Sequence, residues 1–348
     1  MSNFTVVLIV PTGVGAAIGG YAGDALPVAR AIASISDRLI THPNVLNGAQ
    51  LYWSLDNTYY VEGYGLDRFA ARKWGLNPVR QNKIGLLLDR GIEPELRLRH
   101  IQAADATRAT LGLSLTDYVV TDASLEVELR TADSGASWGT IGNPGSLLRA
   151  ADKLIKQARA EAIAVVARFP DDNDSIQLQN YRHGAGVDHL AGAEAVISHL
   201  IVRNFGIPAA HAPALKPLAV DSDVSPRAAA EELGYTFLPC VLVGLNRAPQ
   251  FTTQANSTAD TIWAESVDAA IVPYSACGGS AMMSFADSST EIIAVANNST
   301  QINVTPEPLG IKIIKVESYL EALGILVARK TGIDPQVFHP DISSLRCL

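Results

Sequence analysis

Short runs of consecutive apolar residues recur along this chain, and segments with the apolar spacing of helices separate them. The clearest runs are TVVLIV (5–10), KIGLLL (83–88), EAIAVVARF (161–169), AAIVPY (269–274) and EIIAVA (291–296). Runs this short, apolar at consecutive positions, are typical of parallel strands that helices cover on both sides. The alternation therefore predicts a Rossmann-like α/β fold of mostly parallel sheets with helices on both faces.

Composition supports this fold class and excludes several others. Hydrophobic residues make up 48% of the chain and charged residues 18%, which is too apolar for intrinsic disorder. No collagen-like period and no sustained heptad occurs. The formal net charge of −8 argues against general nucleic-acid binding, because neutralising phosphates requires clustered Lys and Arg.

The polar segment 170–186 is the best candidate for an internal boundary. It divides the chain into an N-terminal α/β lobe (1–175) and a C-terminal α/β lobe (176–348), with two lobes around a cleft as one arrangement. We expect an aromatic hairpin within 50–75, turned at the Asp-Asn pair that ends at position 57. We expect a further strand over 235–245 (YTFLPCVLVGL).

The cysteines and the N-terminus indicate a cytoplasmic protein. Cys240, Cys277 and Cys347 are odd in number and form no CxxC pair, which is typical of a reducing compartment without a structural zinc site. The opening MSNFTVVLIVPTG lacks the basic start of a signal peptide. No run approaches the ~18 apolar residues of a membrane span.

A glycine-rich loop, PTGVGAAIGG (11–20), follows the first apolar run and precedes a helical segment. Thr12, Gly13 and Gly15 are the expected binding residues, since glycines let backbone amides approach an anion closely. A dinucleotide site would need an acidic residue at the end of the second strand. His42 occupies that place instead, so we expect a phosphate, carboxylate or substrate cradle. A tight packing turn is the structural alternative.

Cys277 is a candidate nucleophile. It lies between a strand and a helix, where backbone amides and the helix end lower a thiol pKa. The backbone amides of Gly278 and Gly279, which follow it directly, are expected to bind the anionic ligand. A packed small side chain is the alternative, because cysteine is among the most buried residue types. A two-cysteine racemase would require Cys240 and Cys277 to face each other across a substrate.

Polar side chains at two other strand ends are candidate ligand contacts. His42 is followed by Asn44 and Asn47, and we expect the histidine to transfer protons and the amides to bind. Asn297 and Asn298 follow the run at 291–296 and offer hydrogen bonds without titration. The structural alternative for these asparagines is a turn.

The segment RHGAGVDH brings four polar residues together. Arg182 fits a carboxylate or phosphate clamp, and His183 is a candidate general acid–base. Asp188 and His189 are expected ligand contacts, although Asp188 also fits a helix N-cap. The histidine spacing does not match a metal motif, so we predict no metal site.

The stretches VPTGVGAAIGGYAGDALPVARAIA, ITHPNVLNGAQLYW and GVDHLAGAEAVISHL carry a resemblance over essentially the whole chain. The chain resembles a family of uncharacterised proteins from cyanobacteria and plastids. The resemblance implies a cytoplasmic or plastid-stroma setting, and it carries no activity and no site residues.

The leading hypothesis is an enzyme that acts on a small anionic carboxylate or phosphate metabolite at a strand-end cleft. Histidine would transfer a proton there and Cys277 would act as nucleophile. Alternatives are a non-catalytic metabolite-binding or regulatory protein, an NAD(P)-dependent oxidoreductase and a two-cysteine racemase. The sequence identifies no cofactor and no substrate. It predicts no nucleic-acid or membrane partner, and it leaves a homo-oligomer open.

Overall fold

The computed structural model of the protein describes residues 3–47, 53–171, 175–232, 237–342 and 344–345. Strands and helices alternate along these residues, as the apolar pattern predicts. In chain order the strands are β1 (Thr5–Leu8), β2 (Arg38–Thr41), β3 (Thr58–Tyr60), β4 (Gly75–Asn77), β5 (Ile84–Leu88), β6 (Val119–Val120), β7 (Val127–Thr131), β8 (Ser137–Ile141), β9 (Ala162–Arg168), β10 (Ala209–Ala214), β11 (Gln250–Thr252), β12 (Ala269–Pro273), β13 (Glu291–Val295) and β14 (Ile314–Val316).

The helices begin and end at residues that suit helix termini. Pro94 opens one helix, which ends at Gly112, and Gly206 ends another; both glycines have the left-handed conformation, with φ of +70° and +64°. In chain order the helices are α1 (Leu26–Ile35), α2 (Pro43–Leu46), α3 (Gly63–Ala70), α4 (Pro94–Leu111), α5 (Pro144–Ala158), α6 (Ile176–Arg182), α7 (Ala191–Phe205), α8 (Pro226–Glu232), α9 (Phe237–Asn246), α10 (Ser280–Ala286) and α11 (Tyr319–Lys330).

A six-stranded parallel sheet has the order β3-β2-β1-β12-β13-β14. The chain builds outward from β1 in one direction and from β12 in the other. This order is that of doubly wound dinucleotide-binding sheets, with the switch point between β1 and β12. The Rossmann-like expectation is confirmed at the level of fold class.

A second parallel sheet, of order β10-β9-β5-β6, is formed by the segment between β3 and β12. Two short antiparallel ladders, β4 with β11 and β7 with β8, flank the sheets. Strands of both sheets are buried at consecutive positions, which explains their continuous apolar runs.

Helices cover both faces of each sheet. On the first sheet, α1 and α11 pack on one face and α3 and α10 on the other. On the second sheet, α4 and α9 cover one face and α5 and α7 the other. Helix α9 shares its buried cluster with strands of both sheets, so one core joins them.

Two sequence predictions about elements are wrong. The segment predicted as an aromatic hairpin contains β3, which pairs in parallel with β2, and helix α3; its residues 50–52 lie outside the described residues. The strand expected over 235–245 is helix α9 where it is described, because a run apolar on all sides also suits a buried helix.

The strand order does not follow the predicted division at residue 175. The first sheet takes β1, β2 and β3 from before this boundary and β12, β13 and β14 from after it. The second sheet likewise has β10 beyond the boundary and its other strands before it. Parallel pairing between distant segments, rather than the polar segment 170–186, therefore organises the fold.

Candidate functional site

The glycine-rich loop after β1 packs against other loops of the same chain. Gly13 and Gly15 have φ of +72° and +61°, a conformation that favours glycine. A Cβ at Gly13 would lie 2.6 Å from Oγ of Ser137, and one at Gly15 would lie 2.9 Å from the carbonyl oxygen of Gly186. These glycines therefore allow segments of the protein to pack closely, as we expect if the loop is a tight packing turn.

Several backbone amides of this loop are used inside the protein. The amide of Ala17 donates to the carbonyl oxygen of Ser299 at 3.0 Å, and that of Ile18 donates to Oδ1 of Asn298 at 2.8 Å. Thr12 is exposed beside them. Two amides of the expected anion cradle are thus not directed at a ligand, while the role of Thr12 stays a prediction.

The switch point between β1 and β12 is covered by the segment 299–304. The amide of Gln301 donates to the carbonyl oxygen of Val14 at 2.7 Å, and the amide of Cys277 donates to that of Val304 at 2.9 Å. Dinucleotides bind in this crevice in sheets of the same strand order. Because the chain's own backbone lies there, the geometry does not favour the NAD(P) alternative.

His42, Asn44 and Asn47 bond to the protein itself. Nε2 of buried His42 accepts the amide of Val10 at 3.0 Å, and burial lowers its pKa to about 4. Asn44 donates to the carbonyl oxygen of Gly19, while Oδ1 of Asn47 accepts the hydroxyl of Tyr60. His42 is therefore neutral at physiological pH, and this arrangement does not suit the proton transfer expected of it.

The expectation of a lowered thiol pKa at Cys277 is wrong. The side chain is fully buried in the apolar cluster of α3 and α10, and this burial raises its pKa to about 11. Gly278 packs against Val304, and Gly279 is the N-cap of α10. A thiol in this environment stays protonated and is a poor nucleophile.

The two-cysteine alternative finds no support in the geometry either. Cys240 lies in α9 and is fully buried, as the sequence predicts for a core residue. Its helix packs in the cluster shared by the two sheets, whereas Cys277 belongs to the cluster on the other face of the first sheet. The third thiol, Cys347, lies outside the described residues.

Asn298 is a structural bridge. Its fully buried side chain accepts the amide of Ile18 at 2.8 Å and donates to the carbonyl oxygen of Ile18 at 2.9 Å and to the hydroxyl of Tyr319 at 2.8 Å. The neighbouring Asn297 is exposed. The side chain of Asn298 thus bonds both the amide and the carbonyl oxygen of Ile18. This arrangement favours a structural role for Asn298 over ligand binding.

A cavity lies at the second sheet. Its volume is about 940 Å³, and it opens at the carboxyl ends of β5 and β10 between α4, α6 and the first turns of α7 and α9. Ligand sites of α/β proteins typically occupy this end of a sheet. Leucines form much of the apolar wall: Leu96, Leu178, Leu190, Leu215, Leu218 and Leu238.

One end of the cavity carries acidic side chains. The hydroxyl of Tyr181 donates to Oε2 of Glu231 at 2.7 Å, and the amide of Ala22 donates to the same oxygen at 3.0 Å. Asp188 accepts the amide of Leu190 at the start of α7. Glu194 follows one turn later and also lines the cavity.

Burial and mutual repulsion raise the pKa values of two of these carboxyl groups. The pKa of Glu231 is raised to about 7, chiefly by burial and further by the charge of Glu194. The pKa of Asp188 is raised well above its ordinary value by burial and by the charges of Glu231 and Glu194. At neutral pH the acidic end therefore holds both protonated and ionised carboxyl groups, which suits general acid–base chemistry.

The predicted clamp around Arg182 is only partly at this cavity. Arg182 is buried in its wall and donates to the carbonyl oxygen of Ala219 at 2.7 Å. His183 is exposed, and its Nε2 lies 3.0 Å from the carboxylate of Asp221, which also approaches Arg182 at 4.0 Å. The carboxylate of Asp221 offsets positive charge that would attract an anion. His189 lines the cavity, and its role as a ligand contact stays a prediction.

Sequence reasoning missed Tyr181, Glu194 and Glu231, which with Asp188 make the polar end of the cavity. Glu231 lies in the short helix α8, where no local motif marks it. The two polar loops that follow β9 and β10 could have indicated the polar end of this cavity. Because these parallel strands are neighbours, their following loops meet at one edge of the sheet.

We expect the contribution of Glu231 to the stability of the protein to fall as pH rises from about 4.5 to about 7, because the folded state keeps a proton on Glu231 that the unfolded chain releases. Glu231→Gln removes this dependence. The variant should match the native protein near pH 4.5 and exceed it by about 1–3 kcal/mol near pH 8. Urea unfolding at both pH values measures the difference, with Asp133→Asn at an exposed acid as control. An equal effect of Glu231→Gln at both pH values would contradict the raised pKa.

Comparisons with known proteins agree with the sequence resemblance. Residues 5–339 match the family model described as "Protein of unknown function (DUF3326)". A protein of Synechococcus sp. named an uncharacterized lipoprotein is 62% identical over 338 residues, covering 97% of this chain and 94% of its own length. No solved structure matches the chain significantly.

Two further observations concern metals and membranes. Among the described residues, no group of three or more His, Cys, Asp or Glu side chains is arranged to hold a metal ion. Within the same part of the chain, no helix is long and apolar enough to cross a membrane. The cytoplasmic location stays a prediction, since the Synechococcus relative is named a lipoprotein.

Proposed function

We propose a function for this chain, which belongs to the family of unknown function DUF3326, from the acidic end of its strand-end cavity. The protein is an enzyme that transfers protons to and from a small organic molecule bound there. The observation that carries the proposal is the raised pKa of Glu231 and Asp188 at one end of a largely apolar cavity. Perturbed carboxyl groups in such a pocket are typical of active sites.

The carboxyl groups supply an acid and a base. Repulsion disfavours simultaneous ionisation of Asp188 and Glu231, so one group donates a proton while the other accepts one. Tyr181 orients Glu231 through its hydroxyl and stacks on Tyr21 with ring centroids 4.4 Å apart. The stack and the hydrogen bond hold the carboxyl group in place for proton transfer.

The lining also indicates the ligand class. Leucine side chains suit an apolar body, and the acidic end favours a hydroxyl or amine that donates hydrogen bonds. The carboxyl groups at this end repel an anion whenever they are ionised, so the anionic metabolite expected from sequence is the less favoured ligand here. The substrate is therefore a mostly apolar molecule with a neutral or cationic donor group.

Matched probes test this ligand class. Cyclohexylmethylamine, cyclohexylmethanol and cyclohexanecarboxylate share a ring and differ in charge, and calorimetric titration measures their binding. We expect the amine and the alcohol to bind and the carboxylate not to bind. The affinity for the amine should rise between about pH 6 and about pH 8 as Glu231 ionises.

Glu231→Gln should lower the affinity for the amine about tenfold near pH 8, through loss of one charge-assisted contact, and should weaken its pH dependence. Asp133→Asn should change neither. Stronger binding of the carboxylate than of the amine would overturn the proposed ligand class and restore the anionic one.

A further inference from the structure

A row of polar side chains leads from the cavity to the opposite side of helix α7. It begins at Glu194, whose Oε2 lies 3.6 Å from Nε2 of His211 on β10. Nδ1 of His211 lies 3.2 Å from Oγ of Ser198, and that oxygen lies 3.4 Å from Oε1 of Glu62. The same oxygen of Glu62 is in contact with Nδ1 of His199.

The row is buried in the middle and accessible at its two ends. Ser198 and Glu62 are almost fully buried, and His211 is 16% exposed. Glu194 lines the cavity, while the side chain of His199 is 40% exposed at the surface. A continuous polar path therefore connects the cavity with solvent through an apolar layer of α7 and β10.

Local structure holds the row in place. Glu62 caps α3 by accepting the amides of Tyr64 and Gly65 through Oε2, which leaves Oε1 for the row. Gly63 makes room for the imidazole, since a Cβ there would lie 2.9 Å from Cε1 of His199. The spacing of Ser198 four residues after Glu194 places both on the face of α7 that contacts His211.

We infer that Glu194, His211, Ser198, Glu62 and His199 form a proton relay between the cavity and the surface. This inference rests on the proposed function, because it supplies the route by which the cavity carboxyl groups exchange protons with water. Glu194 faces the cavity, and the other four residues act through it.

Each transfer in the relay balances. A proton that Glu194 has taken up passes to Nε2 of His211, which releases its Nδ1 proton to Oγ of Ser198. The Ser198 hydroxyl gives its original proton to Oε1 of Glu62, which lies 3.4 Å away. Glu62 then protonates Nδ1 of His199, whose exposed ring releases a proton to water. One proton leaves the cavity and each intermediate group returns to its original charge.

The charges that face the relay favour this direction. At the cavity end, the charge of Glu194 helps to raise the pKa of Asp188 and of Glu231, so these carboxyl groups hold the protons that enter the row. At the surface end, burial lowers the pKa of His199, but the hydrogen bond and charge of Glu62 and the charge of Asp67 outweigh burial and raise it. His199 is therefore well suited to accept the proton.

Exchange of the His211 ring proton with water tests the relay by NMR on protein labelled with nitrogen-15 in histidine. Glu194→Gln first removes the carboxyl group on the cavity side, so the Nδ1 proton must leave through Ser198. Adding Ser198→Ala should then slow exchange by about tenfold or more, whereas Ser198→Thr keeps a hydroxyl and should preserve the rate. The backbone amide exchange of His211 in each variant corrects for local opening.

Glu62→Gln interrupts the relay at a second position and keeps a side-chain oxygen that accepts the first amides of α3. It should slow exchange of the His211 ring proton as Ser198→Ala does. A merely structural role for Ser198, such as its 3.4 Å bond to the carbonyl oxygen of Ala195, predicts no change in corrected exchange. Rates independent of both substitutions would overturn the relay. The calorimetric titration of the ligand probes does not depend on that result. It therefore tests the proposed function separately from the relay.

Discussion

Gly192→Ala is expected to lower the free energy of unfolding by about 3 kcal/mol or more. Gly192 lies in the first turn of α7, where the helix packs on strand β8. A Cβ at this position would lie 2.3 Å from Cα of Trp138 and 2.4 Å from the carbonyl oxygen of Ser137. Both are backbone atoms, so the clash is relieved only by moving the helix away from the strand.

Gly324→Ala provides the matched control, because it makes the same change in another helix. Gly324 is exposed in α11, and a Cβ there meets nothing within 4 Å. Alanine should raise the free energy of unfolding by about 0.5–1 kcal/mol, since it restricts the unfolded chain. Urea unfolding of the two variants should give opposite signs. A stable Gly192→Ala protein would show that α7 does not approach β8 this closely.

Asn298→Ala is expected to cost about 3 kcal/mol, the second largest effect. The substitution leaves the buried amide and carbonyl groups of Ile18 and the hydroxyl of Tyr319 without their partner. It also leaves a small void between the loop after β1 and helix α11. Thermal or urea unfolding measures the loss.

Asn297→Ala tests the same chemistry one position earlier, where the side chain is exposed. It should change the free energy of unfolding by no more than about 0.5 kcal/mol. Asn298→Asp should be at least as destabilising as Asn298→Ala, because a buried carboxylate cannot donate to the carbonyl oxygen of Ile18. Equal effects at positions 297 and 298 would contradict a bridging role for Asn298.

The class of fold could be predicted from sequence because a strand buried on both faces is apolar at consecutive positions. The apolar runs at β1, β5, β9, β12 and β13 are strands of parallel sheets, as expected. Helix ends at Gly112 and Gly206 could also be predicted, because their left-handed backbone favours glycine. The same reasoning failed for α9, since an apolar run buried between two sheets has neither strand nor helix periodicity.

The candidate site could be predicted only in part. Arg182, Asp188 and His189 line the cavity, and a polar segment after a strand drew attention to them. Glu231 and Glu194 give the cavity its acidic end. The raised pKa of Glu231 depends on its burial and on charged neighbours that are distant in sequence. Cys277 shows the converse, because a position typical of a nucleophile is buried among apolar side chains.

The sequence by itself determined the local properties of this protein: which segments are strands buried on both faces, where several helices end, and the family to which the chain belongs. Tertiary structure alone decided which strand ends face a cavity. In the folded chain, segment 299–304 occupies the crevice between β1 and β12, whereas a cavity lies at the carboxyl end of the second sheet. The physical reason is that burial and charge repulsion arise between residues far apart in sequence, and these forces set the pKa of Glu231 and of Cys277.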